Sequence, residues 1–103
     1  MSRTLLAMGT RLVRRRLEDV QRRLSAARES QRILEEQVIV WTDALDDSRI
    51  RALVSETPLQ AHEYDELSRH VAVATAELAR RRRDVEVLVA ERDELLRHWT
   101  PKD

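Results

Sequence analysis

Cysteine is absent from this 103-residue chain, glycine and lysine each occur once, and proline occurs twice. Without cysteine there is no disulfide, thiol nucleophile or cysteine-ligated metal. One glycine and two prolines, set against 37% charged residues, leave out the turns that a sheet requires and describe one helix-rich domain at most. No apolar run approaches a membrane span, and the four apolar residues before Gly9 are too few for a signal-peptide core. The expectation is therefore a cytoplasmic protein without a membrane span. The formal net charge is zero, which removes any general signal for a polyanionic partner.

The charge that is present is unevenly placed. Residues 1–28 hold eight arginines against Glu18 and Asp19, whereas residues 29–66 hold ten acids against three arginines. The chain is basic at its start and acidic in its middle. Eighteen arginines against one lysine point to a GC-rich coding sequence rather than to a function.

The strongest pattern is a 4-3 apolar repeat. It runs through Leu6, Thr10, Val13, Leu17, Val20, Leu24, Ala27, Gln31, Leu34, Val38, Trp41, Leu45, Ser48 and Ala52, and eleven of these fourteen positions are apolar. A mean spacing of about 3.5 residues marks a supercoiled helical seam. The segment "VSETPLQ" interrupts it. Pro58 suits a first helical turn, and Thr57 followed three residues later by Gln60 has the form of a capping box. A second seam then follows through Gln60, Tyr64, Leu67, Val71, Ala74, Leu78, Arg81, Val85, Leu88, Arg92, Leu95 and Trp99.

Folding the chain back so that facing residues have numbers summing to 112 pairs the two seams layer by layer. Leu45 meets Leu67, Leu34 meets Leu78, Leu24 meets Leu88 and Val13 meets Trp99, each an a position facing a d position as antiparallel helices demand. Gln31 faces Arg81, so even the polar exceptions coincide. The expected fold is all-α: a single antiparallel two-helix coiled-coil hairpin over residues 1–103, with helix one at about 4–54, a turn at 55–57 and helix two at about 58–99. One edge is charge-complementary, with Arg16, Arg23 and Arg51 opposite Glu63, Glu77, Asp84 and Glu91. The other is not, because Arg28 is expected near Arg82 while Val89 and Leu96 stand at e positions. This register leaves residues 1–8 without intramolecular partners: either Gly9 and Thr10 end a short separate segment, or, as is preferred, helix one runs on and hands Leu5, Leu6 and Met8 to a neighbour.

The stretch "EEQVIVWTD" shows what a hairpin alone leaves unsatisfied. Val38 and Trp41 belong to the seam, but Ile39 and Val40 fall at b and c on the outer side. The c positions of helix one read Leu5, Leu12, Asp19, Ala26, Ile33, Val40, Asp47 and Val54, a second apolar stripe that is answered on helix two by Ala72, Val73, Ala76 and Ala79. Exposed apolar area of this kind marks a protein contact. The residues Ile33, Ile39, Val40, Val73, Ala76, Val89 and Leu96 are accordingly expected to bind a partner, with a second hairpin making a homodimeric four-helix bundle. The competing reading is a scatter of surface apolar residues, which is common.

Chemistry-bearing arrangements are sparse. His62, Glu66 and His70 share a four-residue spacing and so one helical face, but two histidines without a ligand from the facing helix make a weak metal site. There is no phosphate-cradling glycine loop and no nucleophile motif, and a narrow hairpin has no concavity to desolvate a catalytic group. No enzyme activity and no cofactor are expected. The basic amphipathic segment "RLVRRRLEDVQRR" places Arg11, Arg14, Arg15, Arg16, Arg22 and Arg23 around a helix, a surface suited to an acidic protein, RNA or anionic lipid. A second cluster, Arg80 to Arg83, stands about 22 Å further along at 1.5 Å per residue, and no aromatic residues interleave for base stacking. An acidic protein surface ranks ahead of nucleic acid.

The turn region "RALVSETPLQAHEYDE" and the segment "ERDELL" resemble small helical-hairpin proteins of high-GC Gram-positive bacteria. The resemblance covers about half of the chain. It implies a cytoplasmic coiled-coil protein and carries no activity over. In architecture alone the chain is also similar to the helical arm of seryl-tRNA synthetase and to export-apparatus stalk proteins, and an analogy of fold does not transfer function. Two function classes follow: an interaction or adaptor hairpin that self-associates and docks on a larger protein assembly, and an RNA-binding or ribosome-associated arm using the N-terminal arginines.

Overall fold

The computed structural model describes the backbone of residues 2–99 and the side-chain surroundings of residues 9–99. Two long helices, α1 (Ser2–Ser55) and α2 (Pro58–His98), pack against each other as a helical hairpin, and the described residues contain no strand. The side chains of Leu5, Leu6 and Met8, expected to meet a neighbour, lie outside the described residues.

The reversal between the helices is built from local chemistry. The Glu56 amide donates to the Ala52 carbonyl at 3.2 Å, closing the last turn of α1, and Glu56 itself takes a left-handed conformation with φ 50°. Thr57 then caps α2. Its hydroxyl accepts from the Gln60 amide at 3.3 Å, its carbonyl accepts from Ala61 at 3.1 Å, and Pro58 follows as the first helical residue, where no donor is needed.

The seam is where burial falls. Every described seam position, from Thr10 to Ala52 on α1 and from Gln60 to Trp99 on α2, is buried or half-buried. The chain divides into two compact units, one of Met1–Glu29 with Arg83–Asp103 and one of Ser30–Arg82. In the first, Val20, Leu24 and Leu88 form the buried core, with Leu24 fully enclosed at 0% exposure. In the second, Leu34, Ala74 and Leu78 do so together with the small polar Ser48. Burying a leucine fully is worth about 1.5–3 kcal/mol, so these few side chains dominate the attraction between the helices.

Cross-helix polar contacts report the register. In the second unit the Arg81 guanidinium donates to the Ser30 carbonyl at 3.0 Å, beside the Gln31/Arg81 layer. In the first unit Arg23 lies 3.9 Å from Glu91, which realises one pair of the expected complementary edge. The opposite edge is better matched than its sequence implies, because Arg82 pairs with Glu35 at 3.6 Å. The expectation placed Arg82 by Arg28 on strict heptad letters, whereas a long guanidinium stem reaches any acid within about a turn.

Candidate interaction surface

An α-helix points consecutive side chains about 100° apart, so the four apolar residues Val38 to Trp41 must diverge. Val38 and Trp41 turn to the seam and are half-buried, and the Trp41 ring meets the His70 ring edge-on at 4.3 Å with an interplanar angle of 73°. Ile39 and Val40 are exposed. Val40 at 64%, Val73 at 71% and Ile33 at 45% are large apolar side chains that the hairpin itself does not cover.

The seven residues read as a partner surface do not share one direction. Ile33 and Val40 stand seven residues apart at c of α1, and Val73 holds the same position on α2. Ile39 stands at b, 100° around the helix from Val40, and Ala76 at f on the outermost line of α2. Val89 and Leu96 occupy e positions of α2, where Val89 is half-buried and Leu96 is exposed. Two lines of approach are therefore present on the helices: a c line and a b/e line.

Each line borders an open groove in the unit formed by Met1–Glu29 and Arg83–Asp103. Leu17, Gln21, Arg92 and Leu96 line one, with Glu18 and Arg22 beside them. Ala26, Ala27, Val87 and Leu88 line the other, with Arg23 and Asp84 at its rim. Both are open troughs between ridges of side chains rather than enclosed cavities. Val87, Ile50, Leu53 and Leu59 are exposed apolar residues that the partner-surface reading passed over. Their signal was present in the sequence, since each is apolar and lies off the a and d positions.

The basic residues are partly spent on their own helix. Arg14 pairs with Glu18 at 3.1 Å, Arg22 with Asp19 at 3.4 Å, and Arg23 with Asp19 at 3.6 Å. Among the described residues Arg11, Arg15 and Arg16 are exposed and enter no ion pair. In the second cluster Arg80 and Arg81 reach Glu77 at 2.8 and 3.4 Å. These surface pairs contribute about 0–1 kcal/mol each, and their main effect is to lower the local positive potential.

The histidine pattern resolves differently from a metal site. His62 meets Glu66 at 3.0 Å, while His70 lies against Trp41. Among the described residues no group of three histidine, aspartate or glutamate side chains is arranged to hold an ion. No helix among them is long and apolar enough to cross a membrane.

Comparison with family models, with curated proteins and with solved structures finds no match to this chain.

Proposed function

We propose that this hairpin is a non-catalytic interaction protein that self-associates, forms a four-helix arrangement, and in that form docks on a larger protein assembly. The observation that carries the reading is the exposure of Ile33, Ile39, Val40 and Val73 on helices whose a and d positions are already consumed by intramolecular packing. A two-helix hairpin has a thin core, and a second hairpin laid on the c line would remove Ile33, Val40 and Val73 from water at about 25 cal/mol per Å². Light scattering over a range of protein concentrations tests this. A dimeric mass that falls to the monomer in a double variant, Ile39→Glu with Val40→Glu, is expected. A monomeric wild type at tens of micromolar would refute it.

A second reading rests on Arg11, Arg15 and Arg16, whose guanidinium groups remain available to phosphates. Under it, RNA affinity drops steeply with added salt as counterions are released, whereas apolar self-association does not. The acids that engage Arg14, Arg22 and Arg23 weigh against this reading.

A further inference from the structure

The side of α1 turned away from the seam carries one spacing twice near the turn. Asp43, Asp46 and Asp47 stand at i, i+3 and i+4, and Ile50, Leu53 and Val54 repeat that spacing one heptad later. All six fall at f, b and c positions, are exposed, and belong to the one unit Ser30–Arg82. An acidic triad and an apolar triad thus share one helix face, about 10.5 Å apart at 1.5 Å per residue. The hairpin satisfies neither. Val54 is 80% exposed and Leu53 69%, and among the described residues the three aspartate carboxylates enter no ion pair or hydrogen bond. Elsewhere on the same chain Glu18, Asp19, Glu35, Glu36 and Glu77 are each met by an arginine.

From this we infer that the Asp43–Val54 face of α1 is where the hairpin docks on its protein partner, and that the occupant is a basic amphipathic helix with an apolar triad and an arginine or lysine triad one heptad apart. Apolar side chains at i, i+3 and i+4 are the anchors by which one helix grips another, and their rows form the ridges that enter a partner's grooves. The inference rests on the docking proposed above, for which it names the site and the partner's chemistry. It does not depend on the self-association, because Ile33, Ile39, Val40 and Val73 lie outside both triads.

Charge selects this occupant. Residues 43–66 hold seven acids against two arginines, a formal −5, so nucleic acid and anionic lipid are repelled from this end of the hairpin. Among the described residues no acidic group is arranged to hold a metal ion. A second copy of the same stretch does not match either. Laid parallel it sets aspartate on aspartate, and laid antiparallel about the midpoint it sets Asp43 against Val54 and Asp47 against Ile50, covering carboxylates without a counter-charge. A basic amphipathic helix satisfies both triads at once, taking Ile50, Leu53 and Val54 out of water while its cations face the aspartates.

The test uses the full chain and a fluorescein-labelled, alanine-based helical peptide with leucine at i, i+3 and i+4 and arginine one heptad later, read by anisotropy at about 0.15 M salt, where distant surface charges are screened. Saturable binding is expected. It should weaken roughly tenfold or more when the peptide's arginines become glutamate or its leucines glutamine, and likewise in two variants of the chain, Leu53→Ser with Val54→Ser and Asp43→Asn with Asp46→Asn and Asp47→Asn. The control Glu86→Gln with Val87→Ser, an exposed acid and apolar pair in the other unit, should bind as the unmodified chain does. Circular dichroism of each variant confirms that the helices persist. No saturable binding, or equal weakening in the control, would overturn the inference. So would a fall in mass of the Leu53→Ser with Val54→Ser variant by light scattering, because a second copy would then be the occupant. A monomeric mass for the unmodified chain together with binding localised to the two triads would refute self-association and leave this docking face standing.

Discussion

Arg81 occupies a seam position facing Gln31, and its guanidinium crosses to the Ser30 carbonyl at 3.0 Å while also touching Glu77 at 3.4 Å. A charged residue in a coiled-coil seam gives up apolar burial in exchange for a unique alignment. This layer is polar on both helices.

Replacing both members, Gln31→Leu with Arg81→Leu, should therefore raise stability. A gain of about 1 kcal/mol corresponds to roughly 4–8 °C in Tm for a domain of this size. Register should loosen in parallel, read as a broader distance distribution between spin labels on the two helices. A lower Tm in the double variant would show that the polar layer contributes net stability.

The fully enclosed Leu24 and the exposed Leu53 make a matched comparison. Leu24→Ala removes enclosed methyl groups and leaves a cavity, with an expected loss of about 2–5 kcal/mol. Leu53→Ala should stay within about 0.5 kcal/mol, as for other surface substitutions. Urea denaturation measures both, and equal losses would mean that the seam is not the core.

The turn predicts two changes of opposite sign. Glu56 holds φ 50°, a conformation that costs a side-chain-bearing residue about 1–2 kcal/mol and glycine almost nothing, so Glu56→Gly should raise Tm. Thr57→Ala removes the oxygen that accepts from Gln60 and should cost about 1 kcal/mol. Thermal unfolding of the two variants decides it, and a fall in Tm for Glu56→Gly would contradict the assigned cap.

Zinc should leave the protein unchanged. His62 is engaged by Glu66 and His70 by Trp41, so binding an ion would sacrifice both contacts for an incomplete ligand set. Scanning fluorimetry with a large excess of zinc is expected to show the same Tm as with a chelator. A rise of several degrees would restore the metal reading.

The hairpin was legible because its pattern has a long reach. Over two helices, the seam residues singled out by spacing alone include Val20, Leu24, Leu34, Ala74, Leu78 and Leu88, and these are the apolar side chains that the structure buries. A one-residue slip would move that whole set off the seam, so few alignments compete. The candidate surface was only partly legible. Ile33, Ile39, Val40 and Leu96 are exposed as the pattern requires, but treating them as one patch disregarded the 100° that separates b from c.

Sequence alone determined that two helices form, where the chain turns, and which stripe each helix buries, because helical period and capping chemistry are local properties repeated many times. Tertiary structure decided which partner each long polar side chain takes: Arg82 for Glu35, Arg81 for the Ser30 carbonyl, His70 for Trp41. Several partners of similar energy lie within reach of such a side chain, and only the placement of the two backbones chooses among them.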